Sequence, residues 1–266
     1  MSALRLWRLL VAARVRAQWQ YRASFFVDVV ASFAGASLDF VAILAIFTHL
    51  HALGSWSVHD VAFLYGAGGI GFAMADVFIS NVENTGLLVR TGQFDVLLIR
   101  PADTLLQVIA GDIALRAIGK TAQAGVVLTY ALTGASIAWT APRVAMTVTM
   151  VACAALIFSA IFVLGSCIAF ATVGADEATN AVTYGGNFFT QYPLDVFGPW
   201  LRRFMGFVVP TAFAIYFPAL YVLGKPVPFG LPGWVQFSSP LVAALAVVGA
   251  VALWRACVRG YRSTGS

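Results

Sequence analysis

The sequence predicts an all-α, polytopic membrane protein with six transmembrane helices, and three observations carry this prediction. Of the 266 residues, 61% are hydrophobic and only 10% are charged, whereas a soluble domain has about 25% charged residues. The mean hydropathy of the chain is +0.87. Apolar stretches recur at about the 20-residue length that a helix needs to cross the hydrocarbon layer of a bilayer. A water-soluble globule is therefore excluded.

The first predicted element is an amphipathic helix over residues 3–22. Leu and Trp side chains are interspersed there with arginines, a pattern typical of a helix in the plane of the membrane interface. We therefore expect this segment to lie along the membrane surface and not to cross it.

Six spanning helices are predicted next, each from an apolar run bounded by polar residues, glycine or proline. Pro210 and Pro218 are expected to kink the fifth helix. Ser239-Pro240 favours a helix start for the sixth, because proline fits the first helical turn. With the interfacial helix and a polar segment over 83–117, the spans form one transmembrane domain, 1–266. The predicted spans are 25–48, 60–82, 119–139, 144–173, 204–223 and 239–257.

The basic residues predict the orientation of the spans. With both termini in the cytoplasm, all 16 Lys and Arg residues except Arg143 and Lys225 fall on the inner side, as the positive-inside rule requires. Topology and attraction to anionic lipid also account for the net charge of +5. We therefore expect a multi-pass protein of the bacterial inner membrane, with membrane lipid and no nucleic acid as a partner.

A glycine-rich run, Gly66 to Gly71, matches the dinucleotide-binding pattern G-x-G-x-x-G. It lies inside an apolar segment of spanning length with no βαβ periodicity around it. We therefore interpret these glycines as sites where helices pack closely. The P-loop pattern G-x-x-x-x-G-K-[ST] does not occur in the sequence, which indicates that this chain is not itself an ATPase.

Three aspartates inside the spans are the candidate residues of a substrate path. Asp28 and Asp39 share one polar face of the first span, and Asp76 lies in the second. A charge at the centre of a bilayer costs about 2.5–3.5 kcal/mol on insertion scales, so Asp39 and Asp76 should face protein or water. They either line a path for a substrate or cation, or pair with a donor on a neighbouring helix. Asp28 lies nearer the inner headgroups.

Histidines cluster around one predicted outer loop, as His49, His51 and the pair His59-Asp60. Imidazole and carboxylate groups are metal ligands, but this spacing matches no standard metal site. We interpret them as solvated loop residues, and we predict no metal site. No catalytic residue is predicted either, because no Ser-His or paired-carboxylate arrangement occurs inside the membrane.

The most informative stretch is 87–103, in the polar segment between the second and third spans. It contains a helix-ending glycine, Gly92, an aromatic residue, Phe94, charges of both signs and a second helix stop, Pro101. A short amphipathic helix between two spans suits docking into the groove of a partner protein. An ordinary interfacial loop is the alternative.

This stretch resembles the signature of the ABC-2-type permeases. These permeases are the six-span transmembrane subunits of type V ABC exporters. The run from Arg90-Thr91-Gly92-Gln93-Phe94-Asp95 to Leu98-Ile99-Arg100-Pro101 carries the resemblance. Further similar groups follow in the same order over essentially the whole chain: Gln18 with Tyr21-Arg22, Phe63 with Tyr65, Tyr192-Pro193, Trp200-Leu201-Arg202-Arg203, Val209-Pro210, and Tyr216 with Pro218-Ala219-Leu220.

The resemblance implies export driven by a separate ATPase. Two permeases, identical or related, would pair, and each would contact a P-loop ATPase subunit that binds ATP and Mg²⁺; no cofactor is expected in this chain. Closure of the ATPases would push on the cytoplasmic helices and open a path outward for a small amphiphilic molecule, drug or lipid. The residues implied in ATPase coupling are Glu83, Arg90, Gly92, Gln93, Phe94, Asp95, Arg100 and Pro101; a second cytoplasmic contact would use Asp176, Glu177, Tyr192, Pro193 and Arg203.

Two other functions remain open at this stage. The chain could be a secondary transporter or channel that needs no nucleotide and uses its intramembrane aspartates as proton or cation sites. It could also be a membrane scaffold or sensor that transports nothing. The sequence identifies neither the substrate nor whether the paired permease is a second copy.

Overall fold

A computed structural model describes residues 16, 22–49, 52–135, 137–170, 176–204, 210–228 and 230–262. Within these residues the regular structure is helical without β-strands, and a single isolated bridge joins Leu53 to Trp56. The all-α prediction is confirmed for this part of the chain. The predicted interfacial helix over 3–22 lies almost wholly outside the described residues and stays a prediction.

The described residues form twelve α-helices and several short 3₁₀ turns. The turns include Ser80–Asn84 and Ile168–Phe170, which follow long helices. The α-helices are α1 (Arg22–His49), α2 (Val58–Ile79), α3 (Thr85–Arg90), α4 (Gln93–Leu98), α5 (Thr104–Gly111), α6 (Ala117–Gly134), α7 (Ala141–Cys167), α8 (Asp176–Thr190), α9 (Pro199–Arg203), α10 (Thr211–Ala214), α11 (Tyr216–Leu223) and α12 (Ser239–Gly260).

Four helical stretches in the described chain are long and apolar enough to cross a membrane. They are Arg22–His49, Val58–Arg90, Ala141–Phe170 and Ser239–Gly260. They correspond to the predicted first, second, fourth and sixth spans. The chain is therefore a multi-pass membrane protein.

The predicted third and fifth spans are not confirmed as crossing helices. Helix α6 covers most of the third, but it has 18 residues and carries Lys120 and Gln123 in its first two turns. Residues 205–209 of the fifth lie outside the described residues, and the rest is divided into α10 and α11 by a break at Ile215 (φ −129°, ψ −51°). Pro218 explains the break, because its ring clashes with the Ala214 carbonyl and it has no N–H to donate there.

Helix α2 lies at the centre of the fold, with α6 on one side and α7 on another. A Cβ at Gly66 would lie 2.7 Å from the Leu128 backbone of α6, and one at Gly71 would lie 2.5 Å from Ala154 Cβ of α7. Both distances are too short for a real side chain, so the close packing requires glycine at these positions. This geometry supports the interpretation of the glycine run as a helix-packing element.

Helix α1 is attached to the fold along a narrow strip. It packs mainly against α6, where Gly119 lets the α6 backbone approach that of Val29. Ile43 is buried, whereas other apolar side chains of α1, such as Val27 and Leu38, are exposed. A helix that leaves many apolar side chains uncovered is suited to a lipid environment.

Lys225 joins two loops at the predicted outer end of the helices. Its Nζ lies 3.0 Å from Asp60 Oδ2, donates to the Ser55 carbonyl at 2.7 Å and lies 4.7 Å from the centre of the Trp56 ring. Asp60 also completes a capping box with Ser57 at the start of α2. The loop before α2 and the loop after α11 are thereby held together.

Candidate substrate cavity and coupling region

A cavity of about 290 Å³ lies among α1, α2, α6 and α8. This volume is just below the range of about 300–1,000 Å³ that is usual for small-molecule sites. Each of the four helices contributes polar or aromatic side chains to the wall. They are Asp39 of α1, Tyr65 and Phe72 of α2, Lys120 and Gln123 of α6, and Tyr184 and Asn187 of α8.

Asp76 and Lys120 form an ion pair beside the cavity. Lys120 Nζ lies 2.7 Å from Asp76 Oδ2, and the Asp76 side chain is only 3% exposed. The same ammonium lies 5.8 Å and 5.7 Å from the ring centres of Phe72 and Tyr184, within the range of cation–π attraction. The sequence left two roles open for Asp76, a place on a substrate path or pairing with a donor on a neighbouring helix. The structure shows the pairing, with Lys120 of α6. Lys120 itself lines the cavity.

Asp39 lies at the cavity with its side chain exposed. The neighbouring Tyr65 hydroxyl donates to the Ala36 carbonyl at 2.8 Å and lies 3.5 Å from Gln123 Oε1. Burial and the Asp39 charge together raise the pKa of Tyr192, which follows α8. No ion pair to Asp39 forms among the described residues, so its carboxylate remains open to the cavity.

Asp28, the third predicted path residue, is exposed on α1 and does not line the cavity. It lies eleven residues before Asp39, on the same face of α1. The structure therefore brings together Asp39 and the Asp76–Lys120 pair, and it leaves Asp28 apart from them.

Glu83 and Tyr184 connect the cavity to the polar segment after α2. The Tyr184 hydroxyl donates to the Glu83 carboxylate. Burial, followed by the charges of Asp76 and Glu83, raises the pKa of this phenol. The second carboxylate oxygen, Glu83 Oε1, is buried without a partner in the described chain. Glu83 is thus half-buried, next to a residue of the cavity wall, and its role in coupling stays a prediction.

The segment predicted to couple to an ATPase folds into α3, a turn at Gly92, and α4. Gly92 has a φ of +70°, a conformation that suits glycine because side chains clash there. Phe94 follows it and is completely buried. Its ring packs edge-on against Phe170 and Tyr261 at 5.1 Å and 5.3 Å between centres, with Trp254 at 6.3 Å. Phe94 therefore anchors this region within the chain.

Other predicted coupling residues lie on the surface. Arg90, Gln93, Arg100 and Pro101 are exposed, and Asp95 is half-buried. Burial and the nearby Asp95 carboxylate raise the pKa of Tyr261, just after α12. The region thus combines a buried aromatic anchor with an exposed polar surface.

A comparison with known families agrees with this all-helical membrane architecture. A model of a family described as ABC-2 family transporter protein matches residues 33–265. The chain belongs to the ABC-2 transporter family. Curated proteins and solved structures give no match. ABC-2 permeases are membrane transport subunits that work with the ATPase subunits of ABC transporters, and they are not themselves catalytic enzymes.

The second contact predicted for this ABC-2 permease lies on α8 and beyond. Asp176 and Glu177 form the first turn of α8, and the structure describes only their backbone. Tyr192 is half-buried, Pro193 is buried and Arg203 is exposed. Among the described side chains of this set, Arg203 is therefore the most accessible to a partner.

Among the described residues of this ABC-2 permease no His, Cys, Asp and Glu side chains form a group that could hold a metal ion; His51, one of the outer histidines, lies outside the described residues. His59 instead stacks on Tyr130 at 5.0 Å between ring centres.

Sequence reasoning missed most of the cavity wall. Tyr65, Gln123, Tyr184 and Asn187 were not predicted site residues, and Lys120 was read only as a topology charge. One available signal was the spacing of Lys120 and Gln123, which puts both on one face of a helix with apolar residues around it. A polar stripe inside a span indicates a protein-facing or water-facing surface.

Proposed function

We propose that this chain is the transmembrane permease subunit of an ATP-driven exporter that moves a small amphiphilic molecule, drug or lipid outward across a bacterial inner membrane. The observation that carries the proposal is the buried position of Phe94. It joins the surface helices α3 and α4 to Phe170, at the end of the α7 stretch, and to Trp254 near the end of α12. ATP and Mg²⁺ belong to the partner ATPase in this proposal.

The aromatic cluster gives the coupling step a physical basis. A partner that pushes on Arg90, Gln93 or Arg100 acts on two short helices whose buried ring cannot move independently of its neighbours. Packed interiors are dense and transmit displacement. Trp254 Nε1 also donates to Thr104 Oγ1 at 3.2 Å, which ties α5 to α12. Force on the surface is thus passed to the ends of spanning helices.

Six crossings with both termini in the cytoplasm complete the proposed topology, with α6 and the 204–223 segment as the additional spans. Support comes from the burial of the polar residues of α6. Lys120 pairs with Asp76, and Gln123 is buried. These residues face α2 and the cavity, which lowers the cost of carrying them through lipid.

A second permease, either another copy or a related chain, completes the proposed transporter. Support comes from α1, whose exposed apolar side chains include Val30 and Val41. In a bilayer both lipid and another helix can cover such a surface. A pair of permeases would place one coupling region against each ATPase subunit.

Co-purification tests the proposal. The tagged chain, expressed with the proteins encoded beside it, should recover a P-loop ATPase, and ATP hydrolysis in nanodiscs should rise with transported compound. Arg100→Glu, on the exposed coupling surface, should lower recovery of the ATPase at least tenfold. Arg143→Glu, half-buried at the predicted outer side, is the matched control and should leave recovery within twofold.

Three results would contradict the proposal. One is that no ATPase is recovered with the wild-type chain. Another is that ATPase binds but nothing is transported, which would indicate a scaffold or sensor. The third is that maleimide modifies Gln93→Cys from the outer side in a background without the native cysteines, since the coupling surface would then lie on the wrong side of the bilayer.

A nucleotide-independent transporter or channel is the second candidate, because Asp39 belongs to a spanning helix and its carboxylate is open to the cavity. Gradient-driven transport in vesicles without ATP, lost in Asp39→Asn, would favour that function over the exporter.

A further inference from the structure

The cavity presents two acceptors that have no hydrogen-bond or ion-pair partner in the described chain. Asn187 Oδ1 is buried with no partner in the described chain. The Asp39 carboxylate forms no ion pair there. By contrast, the Tyr65 hydroxyl proton is already donated to Ala36. A buried acceptor without a donor is unfavourable, so a ligand that brings N–H donors would satisfy groups that the protein leaves open.

Aromatic rings form a large part of the cavity wall. Tyr65, Phe72 and Tyr184 all line it. The faces of aromatic rings attract cations, and the Lys120 ammonium already lies within 6 Å of two of these ring centres. The same walls also provide apolar contact for the body of a ligand.

The charge distribution favours a cation over an anion. The charge of Lys120 is compensated by Asp76 at 2.7 Å. An anionic ligand at Lys120 would share the ammonium with Asp76 and would be repelled by the Asp76 and Asp39 carboxylates. Asp39 has no such internal partner in the described chain, so a cationic ligand would pair with it and displace nothing.

We propose that this cavity binds a protonated primary or secondary amine attached to a compact apolar body. The ammonium pairs with Asp39 and donates to Asn187 Oδ1, and the apolar body lies against Tyr65, Phe72 and Tyr184. The binding site stands on the cavity alone. That the bound amine is also the exported compound rests on the proposed function.

A matched series of ligands tests the charge preference. Tritiated 4-phenylbutylamine, 4-phenylbutanol and 5-phenylpentanoate share one phenylbutyl body and differ in the polar group. Binding is measured to the purified chain in nanodiscs, with empty nanodiscs subtracted to remove partitioning into lipid. The amine should bind at least tenfold more tightly than the alcohol, and the carboxylate should bind most weakly. Tighter binding of the carboxylate or the alcohol would overturn the proposal.

Two aspartates on α1 provide the matched variants. Asp39→Asn should weaken amine binding at least tenfold and leave the alcohol within twofold, because only the charged partner is removed. Asp28→Asn, which removes the same charge outside the cavity, should leave amine binding within twofold. Equal losses in the two variants would indicate general attraction of amines to acidic residues and would overturn the site.

Asn187→Leu separates hydrogen bonding from charge. It should weaken binding of 4-phenylbutylamine more than binding of its trimethylammonium analogue, which has no N–H to donate. Equal effects on the two ligands would contradict the assigned role of Asn187. Size-exclusion profiles of all variants confirm that they remain folded.

Failure of the site and failure of the exporter have different signatures. If amine binding depends on Asp39 and no ATPase associates with the chain, the site stands and the proposed transport function does not. If ATP drives transport of another compound and amines do not bind, the exporter stands and this site does not.

Discussion

The Asp76 carboxylate lies 2.7 Å from the Lys120 ammonium and joins α2 to α6 beside the cavity. Lys120→Met should lower the free energy of unfolding by about 2–3 kcal/mol, because Asp76 stays nearly buried without its cation. Denaturation in detergent, followed by tryptophan fluorescence, measures the loss. The double variant Asp76→Leu/Lys120→Met should recover most of the stability, since it leaves no unpaired charge. A double variant as unstable as the sum of the single variants would contradict this account.

We expect Phe94 to couple the exposed surface of α3 and α4 to the aromatic cluster beneath it, through the packing of its buried ring. Phe94→Ala removes a fully buried ring and should cost about 3–5 kcal/mol of stability. Val96→Ala, on the same helix but exposed, should change stability by no more than about 0.5 kcal/mol. Phe94→Leu, which retains more apolar volume, should fold and still reduce ATPase stimulation by transported compound. Full stimulation in Phe94→Leu would argue against the anchor as a coupling element.

The glycine run makes a stability prediction with a built-in control. Gly66→Ala places a methyl group against the Leu128 backbone, and overpacking of this kind should cost about 1–3 kcal/mol. Gly249→Ala on α12 meets open space and should stabilise its helix by about 0.5–1 kcal/mol. Thermal unfolding in one detergent compares the two variants. A stabilised Gly66→Ala would show that α2 and α6 do not depend on this close approach.

Tyr184 should contribute to stability in a pH-dependent way. Burial and the Asp76 and Glu83 charges raise its pKa above the ordinary value of about 10. The folded chain therefore holds this proton more tightly than the unfolded chain, so the contribution is full below about pH 10 and is lost as the pH rises through the folded-state pKa. Between about pH 8 and 11, the free energy of unfolding should fall less steeply with pH in Tyr184→Phe than in the wild-type chain. Tyr130→Phe is the control, and an equal effect there would contradict the assignment to Tyr184.

The spans that sequence reasoning predicted well are those where length and apolarity coincide. The predicted 239–257 became Ser239–Gly260, and the predicted 25–48 became Arg22–His49. The fifth span was predicted as one kinked helix, but Pro218 interrupts the backbone hydrogen bonds enough to produce two short helices. Hydropathy alone does not report how far a proline disrupts a helix.

The cavity was less predictable than the spans, because it depends on pairings between distant segments. The sequence identified Asp39 and Asp76 as charged residues within membrane-spanning segments. It could not show that Lys120, 44 positions beyond Asp76, supplies the counter-charge. Phe94 was expected among the coupling residues because of the family resemblance and because a short amphipathic helix between two spans suits docking into a partner. Its burial against Tyr261 arises from the return of α12 to the same end of the bundle, which local pattern does not reveal.

The narrow attachment of α1 determines how a ligand can reach Asp39. Helix α1 forms one of the four walls of the cavity. It packs mainly against α6, where the two backbones approach closely at Gly119. Under the proposed binding mode, we expect a slight separation of these two backbones to widen the cavity toward the acyl chains, while the Asp76–Lys120 pair, which does not involve α1, stays intact. A molecule already dissolved in the membrane would thus enter sideways, without passing through water.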